Sequence, residues 1–442
     1  MLDLAHKGFW LSTIPYGPNP ALQAECKADV AVVGGGFSGL STAYHLKKLR
    51  PDLKVVLLES EAVALGSSGR NAGFVLTQFG LSLSLTVNRF GRKKAKQAQE
   101  YMHRAVDLVQ SLVQENQIDC DLEKSGFLRV ATCAGHKQWI LQEMELAHSL
   151  GFHDVQWWAE KQLKEQIYSP EYLGAWWEPG CALINPAKLA WGMKQVLQDM
   201  GVEIYENSPV TNISRQDMIR VHTHQGQVDT NKLVLATNAF SVQFQQLRRK
   251  QTPAFTYIVL TQPLPRQKLR AIGWENRQGI EDARNMVHYY RLTPDNRLLM
   301  GGRDLGFYFG LNTEQNKNEA IFSGLKSSVR RIFPVLEDVE FSHEWGGPIS
   351  IPLDMAPALG YAGDKRVVYS LGGMGHGVSM SHLNGATLAD LVLERNTELT
   401  RMFFVNRRVV PWPVEPLRFA LGSLVRGYMR LQDRWYEGKK RI

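Results

Sequence analysis

The chain has 442 residues, 51 Lys and Arg against 43 Asp and Glu, a net charge of +8, and 44% hydrophobic and 21% charged residues. This is the composition of an ordinary folded protein large enough for two or three domains, and it excludes a disordered, collagen-like or disulfide-stapled chain. The charge is unevenly placed: from Arg401 to Ile442 ten basic residues stand against three acidic ones, so the remainder is nearly neutral, which argues against a broad nucleic-acid-binding face.

Residues up to Lys27 read as an irregular arm broken by Pro15, Gly17, Pro18 and Pro20. Met1–Lys7 lacks the basic-then-apolar pattern of a signal peptide, and no apolar run reaches bilayer-spanning length. Val30–Val33 predicts a buried strand entering the turn Gly34-Gly35-Gly36-Phe37-Ser38-Gly39; a helix carrying Leu40, Ala43 and Leu46 follows, then a strand Lys54–Leu58 closed by Glu59. This is G-x-G-x-x-G in its strand–turn–helix setting, with an acid at the end of the second strand. Gly34 permits the tight turn, Gly36 lets backbone N–H groups approach a pyrophosphate, and Gly39 lets helix and sheet pack closely. Glu59 is placed to accept hydrogen bonds from an adenosine ribose, and the helix N-terminus favours phosphate.

A second glycine-serine turn follows, Gly66-Ser67-Ser68-Gly69-Arg70-Asn71-Ala72-Gly73. Periodicity then predicts a helix over Arg92–Gln114 with Ala98, Met102, Ala105, Leu108 and Leu112 on one face, a strand at Gly126–Ala131, a helix over His136–Leu150 and another from Pro186 to Met200. Strands are expected at Val202–Tyr205, Met218–His224, Lys232–Ala236, Phe255–Thr261, Met286–Leu292 and Arg297–Gly301, with a helix over Glu314–Phe333. Val367–Leu371 leads into a third cluster, Gly372-Gly373-Met374-Gly375-His376-Gly377, and a helix over Ser379–Leu393. A helix N-terminus at that third turn would stabilise the negative charge of a reduced flavin, a reason to prefer FAD over a nicotinamide.

Together the Gly34 turn, the Gly66–Gly73 turn, Leu235-Ala236-Thr237-Asn238-Ala239 and Gly375-His376-Gly377 resemble the D-amino-acid oxidase superfamily of FAD-dependent oxidoreductases. Trp345-Gly346-Gly347-Pro348, Asp354–Gly360 and Pro411–Arg418 extend the likeness over nearly the whole chain, which is most similar to the gamma-glutamylputrescine oxidase-like branch, with glycine and sarcosine oxidases as more distant relatives. The resemblance implies an α/β fold with an α+β second domain: a Rossmann-type FAD-binding domain (28–90, 180–245, 342–398) interleaved with a mixed-sheet substrate domain (91–179, 246–341), between an N-terminal arm (1–27) and a basic C-terminal helical tail (399–442). It implies FAD held by Gly34, Gly36, Phe37, Ser38, Gly39 and Glu59, by Ser67, Ser68, Arg70, Asn71, Ala72 and Gly73, by Val210 at the adenine, and by Gly373, Met374, Gly375, His376 and Gly377 at the flavin ring.

The implied reaction is hydride transfer from a C–H bond next to nitrogen of a primary or secondary amine or amino acid to flavin N5, followed by imine hydrolysis and reoxidation by oxygen. A dehydrogenase passing electrons to a quinone or protein acceptor is the alternative, and an RNA-modifying flavin oxidase fits the charge less well. His376-Gly377-Val378 stands where relatives carry a carboxylate-gripping arginine, and neither a cysteine before the third turn nor a histidine in the second is present to tether flavin, so FAD is expected to be non-covalent. His376, Tyr257 and Tyr290 are the catalytic candidates; His288, Tyr289, Arg291 and Trp345 are further candidates for the pocket. Four scattered cysteines, Cys26, Cys120, Cys133 and Cys181, suggest reduced thiols and a cytoplasmic setting, and no metal-ligand spacing is present.

In the tail, Leu417, Leu421, Leu424, Tyr428, Leu431 and Trp435 fall on one helical stripe and Arg418, Arg426, Arg430 and Arg434 on another. The expected arrangement packs the apolar stripe on the body and leaves the basic one in water. The alternative lays the helix on an anionic membrane, a peripheral contact where a quinone could accept electrons.

Overall fold

The computed structural model describes residues 4–438; Met1–Asp3 of the N-terminal reading and the basic run Lys439, Lys440, Arg441 of the tail lie outside the described residues. Two eight-stranded sheets organise the chain. The first runs in the order Ala358–Tyr361, Val367–Leu371, Gln227–Leu235, Glu25–Val33, Val55–Leu58, Glu203–Tyr205, with a hairpin (Asn212–Arg215, Ile219–His222) added beside Gln227–Leu235. Its central strands are parallel and nearly continuous runs of Val, Leu and Ala, as strands covered on both faces require. The helices Phe37–Leu49 and Gly377–Val392 pack on one face and against each other, where Ser41 Oγ donates to His382 O at 2.6 Å.

Register decides where a ligand can sit. Val33 pairs with both Leu235 and Leu58, and Leu235 pairs with Tyr369. Four parallel strands therefore end level, and the segments leaving them open along one edge: Gly34–Gly36, Glu59, Ala236–Asn238 and Gly372–Gly377. In open parallel sheets the binding crevice lies outside these carboxyl ends.

The second sheet runs Phe341–Ile351, Thr252–Thr261, Leu298–Gly302, His288–Leu292, Gly279–Asp282, Phe127–Val130, Gly174–Glu178, Gln156–Ala159; only the Gly279–Asp282 and Phe127–Val130 pair is parallel. The helix Glu319–Ile332 covers one face through Phe322, Leu325 and Val329; the other face looks toward the crevice.

Pairing and packing set the place of three segments. Phe341–Ile351, assigned by sequence to the FAD domain from residue 342, pairs along its length with Thr252–Thr261 in the second sheet. The helix Arg92–Glu115, assigned to the substrate domain, packs on the first layer, where Tyr101 OH donates to Asn384 Oδ1 at 2.8 Å. The N-terminal arm is built into the core: Trp10 is fully buried, and Tyr16 and Asn19 join the Lys194–Glu206 pair.

The tail helix Leu417–Gly438 is inverted relative to the expected packing. Arg418 is buried and Arg426 and Arg430 pair with Asp304, while the leucine stripe faces outward. The body here offers Asp304 and the Thr252 hydroxyl as well as Phe307, and pairing the polar groups takes precedence over burying leucines.

Glu206 is completely buried, and it accepts from Val63 N (2.6 Å), Asn19 N (2.5 Å) and Lys194 Nζ (2.6 Å), tying arm, helix and sheet together. Truncating one member of such a pair leaves the other charge buried and alone. Glu206→Ala is expected to lower unfolding free energy by about 3–5 kcal/mol, measured by urea denaturation against wild type.

Candidate active site

The sheet-edge crevice is lined by all three glycine turns. Gly34 has φ +110°, and a Cβ there would stand 2.8 Å from the Ala236 carbonyl oxygen. A Cβ on Gly39 would strike the Gly34 carbonyl. A side chain at Gly39 would push the helix Phe37–Leu49 off the turn, and one at Gly34 would force the turn away from the Ala236 segment. Ser68 Oγ accepts from Phe37 N at 2.9 Å, and Glu59 accepts from Gly35 N at 2.7 Å. Burial pushes the Glu59 carboxyl above its ordinary range, opposed by the N–H groups of Gly35 and Glu61.

The cavity here is bordered by Gly34, Gly36, Phe37, Ser38, Glu59, Ser67, Ser68, Val210 and Asn238. It continues past Phe37, Ser67, Ser68, Asn238 and Ser381 into a second chamber bounded by Asn71, Ala72, Tyr289 and Gly373–Gly377. The result is one long channel with a carboxylate at one end and a helix N-terminus, that of Gly377–Val392, at the other. A dinucleotide with an adenosine at the Glu59 end and a flat ring at the Gly373 end fits this shape and these donors. Asn71 holds the second turn rigid: its amide donates to Ser67 O and Ser68 O, and its oxygen accepts from Gly73 N.

Beyond the third turn the channel opens into a chamber of about 240 Å³. Met286, Met355, Met374, Met429, Ile349 and Trp139 make it largely apolar. Glu281 is its polar centre. Its side chain is 9% exposed and its carboxylate accepts no hydrogen bond from the described residues; Arg129 Nη2 stands at 3.8 Å and His376 Nε2 at 4.0 Å. Burial pushes Glu281 up to about 7, outweighing the lowering by Arg129. Burial pushes His376 down to about 4, so its imidazole is neutral at pH 7. The chamber thus offers a carboxylate poised between charge states beside a neutral imidazole.

Tyr257 and Tyr290 lie elsewhere. Tyr257 OH bonds Tyr308 OH (2.5 Å) and Gln315 O (2.9 Å), and Tyr290 OH bonds Tyr172 OH (2.6 Å), both in the core under the Glu319–Ile332 helix. Strand alternation is the reason: the crevice face takes Thr256 and Tyr289, and their neighbours point the other way. His288 is held there too, between Asp282 (2.8 Å) and Ser328 (3.0 Å).

Arg291 is fully buried and donates to Ile184 O (2.7 Å) and Ala72 O (3.3 Å), clamping the second turn to the second sheet rather than meeting a substrate. Trp345 Nε1 donates to Arg70 O (2.8 Å). Arg70 borders the channel, but its guanidinium is spent on Asn316 Oδ1 (2.8 Å) and Gly346 O (3.3 Å). Glu281, Arg129 and Thr256 were not singled out from sequence; the one signal was an acid pair, Glu281-Asp282, after two apolar-compatible positions in a segment not assigned to a strand.

The chain is similar to known proteins in sequence and in fold. The chain matches the DAO family, FAD dependent oxidoreductase, over residues 29–391. It is 29% identical to the gamma-glutamylputrescine oxidoreductase of Escherichia coli over 95% of this chain and 96% of that one. It is 27% identical to the probable oxidoreductase OrdL of Haemophilus influenzae over 86% of each. The crystal structure of glycine oxidase from Geobacillus kaustophilus superposes with a TM-score of 0.73 at 20% identity, covering 86% of this chain and 99% of that one.

A carboxyl raised from 4.5 unfolded to about 7 folded binds its proton more tightly in the native state, so stability is highest below the unfolded value and falls as pH rises through 7. Glu281→Gln removes this dependence. The variant is expected to gain on the order of 3 kcal/mol relative to wild type between pH 4 and pH 8, read from denaturant midpoints at both pH values.

Proposed function

The chain belongs to the DAO family of FAD-dependent oxidoreductases, and on that premise we propose that it oxidises the C–N bond of an aliphatic primary or secondary amine or amino acid. The observation that carries this reading is the unbonded Glu281 carboxylate in an apolar chamber that adjoins the third glycine turn. A buried carboxylate whose nearest cationic partner, Arg129, stands at 3.8 Å, beyond hydrogen-bond distance, has acceptor sites free for an ammonium or amine N–H.

FAD, when bound, supplies at its N5 the acceptor for the hydride leaving the carbon next to nitrogen; the imine released is hydrolysed by water and oxygen is the final oxidant. In this reading FAD is held non-covalently. Gly34, Gly36, Phe37, Ser38 and Gly39 hold the pyrophosphate, Glu59 the ribose and Val210 the adenine. Ser67, Ser68, Asn71, Ala72 and Gly73 would hold the ribityl chain and ring, and Gly373, Met374, Gly375, His376 and Gly377 would meet the ring from the third turn. Arg70 serves by locking the second turn.

Only a neutral amine has the lone pair that drives hydride departure. Glu281, ionised above about pH 7, takes the ammonium proton and keeps the nitrogen oriented. His376, neutral and 4.0 Å away, adds no competing positive charge. The methionine walls accept a flexible aliphatic chain. Four unpaired cysteines support a cytoplasmic setting. A quinone in place of oxygen is the second reading, favoured by the apolar outer face of the tail helix whose Met429 borders the chamber.

Anaerobic addition of polyamines, N-methyl amino acids and D- and L-amino acids to the holoprotein is expected to bleach the flavin absorbance with at least one amine. If none bleaches it while dithionite does, the reading fails. Peroxide yield under air separates oxygen from quinone. With an amine that bleaches, Glu281→Gln is expected to raise KM about 10- to 100-fold, the worth of a charged hydrogen bond, and to abolish the limb of the kcat/KM profile that rises through pH 7.

A further inference from the structure

The tail helix Leu417–Gly438 is anchored along its length by polar groups. Arg418 donates to Thr252 Oγ1 (2.7 Å) and Tyr308 O (2.6 Å) and pairs with Glu415. Arg426 and Arg430 share Asp304, the first at 2.8 Å. Asp433 accepts from the backbone N–H groups of Asn285 and Met286 at 2.9 Å each, and Glu437 meets Arg284 at 2.7 Å. Turning the helix about its axis to bury its leucines would break every one of these contacts.

The outward row is therefore a fixed feature. Leu417, Leu424, Tyr428, Leu431 and Trp435 follow one another at spacings that keep them in a single line, and each is between 57% and 72% exposed. Val425 and Phe419 flank the row, and Val414, Val410 and Phe309 extend the exposed apolar surface near its start. A patch of this kind on a protein surface marks an interaction site.

We propose that this face docks the protein on an anionic bilayer surface, with the helix lying flat in the headgroup region. Residue type and charge both select lipid. Leucines continued by Tyr and Trp form the apolar side of an interfacial helix. Arg418, Arg426 and Arg430 are paired with acids on the inner side, but Arg434 is exposed beside Trp435 and the sequence continues into Lys439, Lys440 and Arg441. A second copy meeting this face would bring the same positive charge, whereas anionic headgroups bring the opposite sign. Among the described residues no helix is long and apolar enough to cross a membrane, so the helix lies on the surface. This docking is independent of the amine-oxidation reading: it holds for any activity of the chamber.

The test is co-sedimentation of the full FAD-loaded chain with vesicles of phosphatidylcholine alone and of equimolar phosphatidylcholine and phosphatidylglycerol. Wild type is expected to pellet with the mixed vesicles and to stay largely in the supernatant with phosphatidylcholine. The double variant Leu424→Ser, Leu431→Ser alters exposed side chains only; it is expected to keep wild-type flavin absorbance and to bind the mixed vesicles at least about 10-fold more weakly. Wild type remaining in the supernatant at low salt overturns the proposal, as does a double variant that pellets like wild type. Light scattering that finds a dimer converted to monomer by the double variant, without vesicle binding, assigns the face to a second copy instead.

Discussion

The approach of Gly39 to the Gly34 carbonyl is the constraint on which the rest of the molecule rests. It lets a helix begin within one turn of the sheet edge and aims its N-terminus into the crevice. Because Glu25–Val33 is flanked by parallel partners in matched register, that crevice is shared by every segment leaving the same edge. The Glu59 carboxylate, the Ala236–Asn238 segment and the third glycine turn all arrive there for this reason. None of them needs its own device to reach the site.

The second sheet is joined to this edge by buried arginines that hydrogen-bond to backbone carbonyls. Arg291 reaches Ala72 and Ile184, and Arg70 reaches Gly346. A planar, five-donor guanidinium suits this seam, since it satisfies several carbonyl oxygens that irregular turns leave without strand partners. Desolvation lowers both groups to about 10, and both remain cations at neutral pH. The seam keeps the second glycine turn and the chamber wall in one rigid relation, while the Asp304 and Asp433 contacts attach the tail helix to the same wall.

Much of this was legible in the chain. The Gly34 turn and Glu59 carry a local signature because their function depends on backbone geometry that only glycine and a following acid at the strand end satisfy. The helices Phe37–Leu49, Arg92–Glu115 and Pro186–Asp199 were readable from period and caps. Strand facing in the second sheet was not. Tyr257 and Thr256, or Tyr290 and Tyr289, are equally good strand residues, and which of them meets the cavity depends on which face the distant Glu319–Ile332 helix covers. The orientation of the tail was hidden for the same reason: its two stripes were evident, but Asp304 and Thr252, far away in the chain, decide which one turns inward. The alternating domain membership of Phe341–Ile351 likewise follows from pairing with residues about 90 positions earlier.

Gly279–Asp282 places two carboxylates side by side on opposite faces of one strand. Glu281 looks into the chamber with no donor; Asp282, though burial alone would raise it, is held well below the usual carboxylate range by Arg284 and His288. The pleat sets each carboxylate among different partners, and those partners create the difference in acidity. Sliding this strand by a single position would turn each side chain to the other face, taking Asp282 away from His288 and Glu281 away from the chamber. The ladder to Phe127–Val130 and His288–Leu292 is thus an electrostatic selector as well as a scaffold, and an insertion before Gly279 that shifted this register would retune the chamber's charge by changing which strand residue faces it.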